Sequence, residues 1–212
     1  MDRFSYWADF IGRHDIKSIA EVGVWKGDFA AAILSRCPLV ERYCLIDPWA
    51  KLDDWNKPLN TDSLEAAYRE TMEKVRPFGD RVVVLRGRTR EVADQLPTLD
   101  FAYIDGDHTL RGITIDLINV WPKIRPGGWI GGDDFSRTIW QHNSRYEPSL
   151  VFPFAVHFAE AMNAPITALP GAQFLIQKVP GFTFNDPNGL YPSTELKPQL
   201  GIARALLAKA RL

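Results

Sequence analysis

The stretch Ile19-Ala20-Glu21-Val22-Gly23-Val24-Trp25-Lys26-Gly27-Asp28-Phe29 decides the fold. It reads as strand, glycine turn, helix. Residues 18–22 are short and largely apolar, Gly23 and Gly27 bracket a turn, and Asp28 is placed to cap a helix beginning Phe29-Ala30-Ala31-Ala32-Ile33-Leu34. Glycines remove the Cβ atoms that would keep a ligand off the backbone, and a helix N-terminus offers N–H groups with no intrahelical partner. Such a turn is a ligand cradle.

The unit repeats along the chain. Arg42-Tyr43-Cys44-Leu45-Ile46-Asp47 is a second apolar strand that ends in a carboxylate twenty residues beyond Gly27. In an open parallel sheet an acid there can accept hydrogen bonds from both hydroxyls of a ribose; the competing reading is an aspartate that starts a turn before Pro48. A helix from Asp62 carries Leu64, Ala67, Tyr68, Thr71, Met72 and Val75 on one face and stops at Pro77 and Gly79. A third strand over 81–85 leads into Arg86-Gly87-Arg88-Thr89, with Thr89 placed to cap a short helix. The fourth, Leu99-Asp100-Phe101-Ala102-Tyr103-Ile104, ends in Asp105-Gly106-Asp107-His108 and opens a helix that points Leu110, Ile113, Leu117 and Trp121 inward. Arg125-Pro126-Gly127-Gly128 turns the chain into a fifth strand, Trp129-Ile130-Gly131-Gly132, which ends in Asp133-Asp134.

Residues 151–162 read as a further helix, and 166–169 and 174–177 flank the turn Pro170-Gly171-Ala172 as a hairpin closing the sheet with an antiparallel edge. The expectation is a doubly wound α/β fold with a mainly parallel seven-stranded sheet and an antiparallel C-terminal hairpin. One domain spans 1–212: a leading helix within 1–17, which places Phe4, Trp7, Ala8 and Ile11 at helical spacing, a core over 18–178, and an irregular segment with a basic amphipathic helix over 179–212. The loops 48–60 and 135–150, with Trp49, Trp55, Trp140 and Tyr146, are expected to line a substrate pocket.

Bulk composition narrows the function. A net charge of −1 and a pI near 6.4 give no basic excess for nucleic acid. No apolar run at the N-terminus suggests a leader or membrane span, so the cytoplasm is the expected location. Cys37 and Cys44 have no metal-ligand spacing and read as small apolar residues.

Glu21, Gly23, Asp47, Gly87-Arg88, Asp105 and Asp133 all fall at carboxyl ends of strands, the edge where open α/β sheets bind ligands. At this point the chain resembles the class I S-adenosylmethionine-dependent methyltransferases. The resemblance rests on Glu-Val-Gly-Val-Trp-Lys-Gly at 21–27, Leu-Ile-Asp at 45–47, Phe-Ala-Tyr-Ile-Asp-Gly-Asp-His at 101–108, Ile-Arg-Pro-Gly-Gly at 124–128 and the closing hairpin. It extends to the small-molecule branch of macrocin-type O-methyltransferases and cephalosporin-hydroxylase-like proteins, and more distantly to catechol-type enzymes. The resemblance implies Glu21 and Gly23 beside the methionine part of S-adenosylmethionine, with Gly27 closing the turn, Asp47 on the ribose, and Gly87-Arg88 beside adenine. Relatives often carry an acid where Arg88 stands, which moves recognition of the adenine amino group to Thr89 or backbone groups.

The resemblance to catechol-type enzymes implies that Asp105, Asp133 and Asp134 hold Mg²⁺, a hard cation that suits carboxylates; the competing reading is capping and turn-forming aspartates. His108, where those relatives carry a catalytic lysine, is the candidate base with Asp105 beside it, and His142 is its rival; His14 and His157 read as structural. The expected partner is a small hydroxylated methyl acceptor, a sugar or secondary metabolite, with a homo-oligomer left open. Two other readings compete: a non-catalytic partner-binding domain of the same fold, and a nicotinamide-dependent oxidoreductase. Against the latter, Trp25 stands where the second glycine of Gly-x-Gly-x-x-Gly would admit a pyrophosphate.

Overall fold

Strands buried on both faces read as unbroken apolar runs, and here the two faces fill two separate cores. The computed structural model describes residues 2–52, 59–140 and 148–191. In β1 (Ser18–Val22), Ile19 faces one layer while Ala20 and Val22 face the other; in β2 (Arg42–Asp47), Tyr43 and Leu45 oppose Cys44 and Ile46; in β4 (Leu99–Ile104), Phe101 and Tyr103 oppose Ala102 and Ile104. The first layer is covered by α1 (Arg3–Arg13), α2 (Asp28–Arg36) and α3 (Thr61–Val75). The second is covered by α4 (Thr89–Val92), α5 (Leu110–Val120) and α6 (Val151–Ala161).

With β3 (Val82–Arg86), β5 (Ile124–Gly132), β6 (Ile166–Leu169), β7 (Gln173–Gln177) and β8 (Phe184–Asn185), the sheet has eight strands in the order β3-β2-β1-β4-β5-β7-β6-β8. The first five are mutually parallel. The chain therefore winds one way from β1 and the other way from β4. Loops after these two strands leave on opposite faces and open a crevice at their carboxyl ends.

Four expectations need correction. The sheet has eight strands rather than seven, because Phe184–Asn185 pairs with Ile166 and Thr167 in the Pro- and Gly-rich segment where no period is visible. Phe184 also joins the ring cluster of Phe135, Phe152 and Tyr191. The antiparallel strand does not form the edge: β7 lies between β5 and β6, antiparallel to both. Finally, the caps are displaced by one or two residues. Gly27, at φ +75°, is the N-cap of α2 and Asp28 its first residue, Asn60 caps α3, and Arg88 precedes α4. Leu110, expected inward, is half exposed at the first position of α5.

The leading helix packs against the sheet. Trp7 is fully buried against Phe101 and Tyr103, and a Cβ on Gly131 would lie 2.3 Å from the Trp7 ring, so this part of β5 is glycine because the indole occupies the space. Among the described residues no helix is long and apolar enough to cross a membrane. The amphipathic helix expected over 201–212, together with His142, Trp55 and Tyr146, lies outside the described residues.

Candidate functional site

A cavity of about 310 Å³ opens at the carboxyl ends of β1 to β4, near the lower bound for a small-molecule pocket. Gly23, Asp47, Gly87, Arg88, Thr89 and Asp105 line it. Six residues scattered over 83 positions of sequence thus meet because each ends a strand or starts the following turn. Glu21 and Gly27, the other two residues expected to bind the cofactor, are not part of the lining.

The glycine turn is held by protein contacts on one side while Gly23 lines the cavity on the other. Gly23 sits at φ +84°, and a Cβ there would lie 2.1 Å from the Asp105 carbonyl oxygen, so the ends of β1 and β4 touch through it. Gly27 fits against Thr71 of α3, which a Cβ would approach to 2.9 Å. Trp25, between them, has φ +55°, a conformation that disfavours a bulky side chain. Its carbonyl accepts hydrogen bonds from Trp49 Nε1 at 2.7 Å and Thr71 Oγ1 at 2.9 Å. These bonds fix the turn. Trp49 is consequently buried against Tyr68 as a brace for the turn rather than lining a substrate pocket.

Asp47 organises the same corner. Its Oδ2 accepts the Trp25 N–H at 3.0 Å and its Oδ1 accepts the Trp49 N–H at 2.7 Å. These two bonds orient Asp47 at the cavity wall.

Glu21 points the other way. It lies in the layer beneath α1 and α2, where its Oε2 accepts the Tyr43 hydroxyl at 2.7 Å. Burial pushes its carboxyl up to about 8, opposed by the Tyr43 hydrogen bond. Strand alternation explains the difference: Val22, one residue on, faces the cavity, so Glu21 cannot.

Beyond Asp105 the site becomes acidic. The Arg3 guanidinium, at the start of α1, donates from Nη1 to Asp105 Oδ2 at 3.0 Å and also to Asp133 Oδ2. Asp133 Oδ1 accepts from Gln173 Nε2 and from the Asp134 backbone N–H at 2.8 Å. Gln173 is itself fixed by Trp7 Nε1 at 2.9 Å and the Tyr103 hydroxyl at 2.7 Å, both donating to its Oε1. Burial pushes Asp105 up to about 7, Asp133 adding like charge and Arg3 opposing; Asp133 is raised by the same burial.

Asp134 turns away from this pair. Its backbone has φ +60°, and its Oδ2 lies 2.9 Å from His108 Nδ1, with both side chains largely buried. A left-handed aspartate stores on the order of 1 kcal/mol, held in place by its surroundings. The strained residue positions the candidate base. A hydrogen bond from Nδ1 to a carboxylate selects the tautomer whose lone pair is on Nε2. Thr109, not His108, caps α5, accepting the Gly112 N–H at 3.1 Å.

The Mg²⁺ expectation does not fit this donor set. Arg3 already stands between Asp105 and Asp133, Asp134 is engaged with His108, and among the described residues no group of three His, Cys, Asp or Glu side chains is arranged to hold a metal ion. A guanidinium provides the positive charge in this place. Arg3 and Gln173 carry no local sequence signal, because their roles depend on contacts 40 to 166 residues away. Asp116 does carry one: it interrupts the buried stripe Ile113, Leu117 and Val120 of α5 with an acid.

Known proteins bear on this geometry in two ways. Solved structures share the fold: a Staphylococcus aureus protein assigned as a caffeoyl-CoA O-methyltransferase (TM-score 0.64, 13% identity, 84% of this chain and 83% of that one), an O-methyltransferase from Bacillus cereus in complex with SAH (0.60, 18%, 84% and 80%), and TomG from Streptomyces achromogenes, an O-methyltransferase involved in tomaymycin synthesis, in complex with SAM (0.59, 14%, 84% and 80%). A search of curated proteins gave no match. Residues 20–135, which contain the glycine turn, Asp47, Gly87 to Thr89, His108 and the Asp133-Asp134 pair, match the family model described as a methyltransferase domain, and the chain belongs to that family.

Proposed function

We propose that this methyltransferase transfers the methyl group of S-adenosylmethionine to a hydroxyl oxygen of a small molecule. One observation carries the reading: Asp105 lines the cavity and at the same time belongs to the polar cluster that leads through Asp133 and Asp134 to His108. A ligand in the cavity and an acceptor on that cluster would meet at Asp105. The O-methyltransferases of the same fold solved with SAM and with SAH support the choice of cofactor and of oxygen as acceptor.

S-adenosylmethionine supplies an electrophilic methyl carbon on a sulfonium, which leaves with the electron pair of the broken C–S bond as a neutral thioether. The residues of the chain orient and deprotonate. Asp47 holds the ribose hydroxyls, while Gly87 to Thr89 face the base. His108 Nε2 takes the proton of the acceptor hydroxyl as the oxygen bonds to the methyl carbon, and Asp134 stabilises the imidazolium formed. Arg3 sits where negative charge on the acceptor oxygen would otherwise meet two carboxylates.

Incubation with methyl-labelled S-adenosylmethionine and a panel of phenols, catechols and sugars tests this. Label on a hydroxyl oxygen, retained in the presence of a chelator and lost in His108→Ala, is expected. Label found only on nitrogen, or activity abolished by chelation, would contradict the acceptor chemistry or the role given to Arg3.

A further inference from the structure

Gln173 takes part in none of the steps above, yet it is an almost completely buried amide at the edge of the acid cluster. Sheet register puts it there. β5 and β7 run antiparallel with Gly132 opposite Phe174, so the next pair along is Asp133 and Gln173. Both ends of the carboxamide are engaged: Oε1 accepts from Trp7 Nε1 at 2.9 Å and from the Tyr103 hydroxyl at 2.7 Å, while Nε2 donates to Asp133 Oδ1 and lies 3.4 Å from the Gly171 carbonyl oxygen. These ends cannot be exchanged. An indole N–H only donates and a backbone carbonyl only accepts, so an inverted amide would set N–H against N–H at Trp7 and oxygen against oxygen at Gly171. Unmade hydrogen bonds at this depth are costly, and the amide has one orientation.

That orientation is passed on to Arg3. Asp133 Oδ1 receives two N–H donors, from Gln173 and from the Asp134 backbone at 2.8 Å, which fix the plane of the carboxylate and aim Oδ2 at the Arg3 guanidinium. Arg3 reaches both Asp133 and Asp105 through Nη1, and its Nη2 and Nε have no acceptor among the described residues. Those N–H groups remain for an incoming oxygen. The Arg3 side chain is 35% exposed, and an arginine this open would sample several rotamers without a fixed carboxylate to hold it. Trp7 closes the loop. It lies four residues after Arg3, on the same face of α1, so one turn of that helix holds the relay at both ends: Trp7 sets the amide, the amide sets Asp133, and Asp133 sets Arg3.

We propose that Gln173 is a positioning residue for methyl transfer: through Asp133 it holds the Arg3 guanidinium at the acceptor oxygen, in the orientation that Trp7 imposes. The proposal rests on the O-methyltransferase reading. It makes α1 a part of the acceptor site and not only a cover for the sheet. Arg3 stabilises negative charge on the oxygen only where its N–H groups meet that oxygen, and a displacement of about 1 Å is enough to cost on the order of a hundredfold in rate. Gln173 does not line the cavity, so its loss should leave cofactor binding as it is.

Gln173→Met keeps the length of the side chain and removes the N–H donor, and it tests the relay with whichever phenol, catechol or sugar the unaltered chain methylates. The expected result is a kcat about tenfold to a hundredfold lower with unchanged calorimetric affinity for S-adenosylmethionine, and no further fall when Gln173→Met is added to Arg3→Ala. A Gln173 that only supports the fold would lower Tm and leave kcat unchanged, or would multiply its effect with that of Arg3→Ala; either result overturns the proposal. A second measurement needs neither an acceptor nor a folded Gln173→Met. In nitrogen-15 spectra the side-chain amide signals of Gln173 should shift in Arg3→Ala, because Asp133 has then lost its guanidinium. Signals in the same place in both proteins would overturn the relay. Shifted signals together with no methyl transfer by the unaltered chain to any acceptor would contradict the O-methyltransferase reading while the link from Gln173 to Arg3 stands.

Discussion

The two ends of the site are built differently. The proposed cofactor end, from Gly23 round to Thr89, is made of backbone and of bonds between neighbouring strand ends: Asp47 to the N–H groups of Trp25 and Trp49, and the Gly23 contact with the Asp105 carbonyl. The proposed acceptor end is made of side chains brought from far apart: Arg3 from the first helix, Gln173 from β7, His108 and Asp134 from the ends of β4 and β5. A site of the first kind is a property of the fold and tolerates little change. One of the second kind can be retuned by a few side chains while the fold stays the same.

That contrast is broken most sharply at His108. His108→Ala should lower kcat by roughly a hundredfold to ten-thousandfold with affinity for S-adenosylmethionine unchanged, because a general base contributes to the chemical step and not to cofactor binding. A parallel loss of affinity would show that the ends are not separable. Gly23→Ala should do the reverse and damage the fold. A Cβ 2.1 Å from a carbonyl oxygen at φ +84° is expected to cost about 3 kcal/mol or more, read as a large fall in Tm with cofactor binding lost alongside. An alanine variant that melts normally would mean the β1 and β4 ends do not touch.

A pH series sharpens the role of the buried acids. Glu21 has its folded value raised to about 8 from an ordinary 4.5. Below the ordinary value both states hold the proton; between it and about 8 only the native state does, so stability falls as pH rises and levels off above that. Glu21→Gln, which can still accept from Tyr43, should remove up to roughly 1 kcal/mol per pH unit from that slope. Denaturant unfolding at several pH values would measure it, and identical slopes in both proteins would place the Glu21 carboxyl in a far wetter setting. Arg3→Ala gives the smallest effect, on the order of 1 kcal/mol for a partly exposed guanidinium. Millimolar Mg²⁺ should then raise the Tm of the variant, whose Asp105 and Asp133 are unopposed, and leave the parent chain unchanged. A parent chain stabilised by Mg²⁺ would show that the cation displaces Arg3.

The same contrast explains what could be read in advance. The five parallel strands, the glycine turn, Asp47 and Asp105 were legible because strand ends and turns announce themselves over ten residues of sequence. Glu21, expected beside the cofactor, differs from Val22 by one step of strand alternation, which turns its carboxylate to Tyr43. Residues Phe184–Asn185 pass unnoticed as a strand, since two residues show no period and only the exposed edge of β6 gives them a partner. The acid cluster looked like a metal site because its carboxylates are close in sequence to strand ends. The cation between two of them arrives from residue 3, a pairing that no local pattern encodes.

Titration of the chain with S-adenosylmethionine and with NAD, repeated in Asp47→Ala, tests the central claim most directly. Saturable binding of S-adenosylmethionine, none of NAD, and affinity about tenfold or more weaker in Asp47→Ala are the predicted results. NAD bound in place of S-adenosylmethionine, or an Asp47→Ala variant with unchanged affinity, would contradict the account of the cavity.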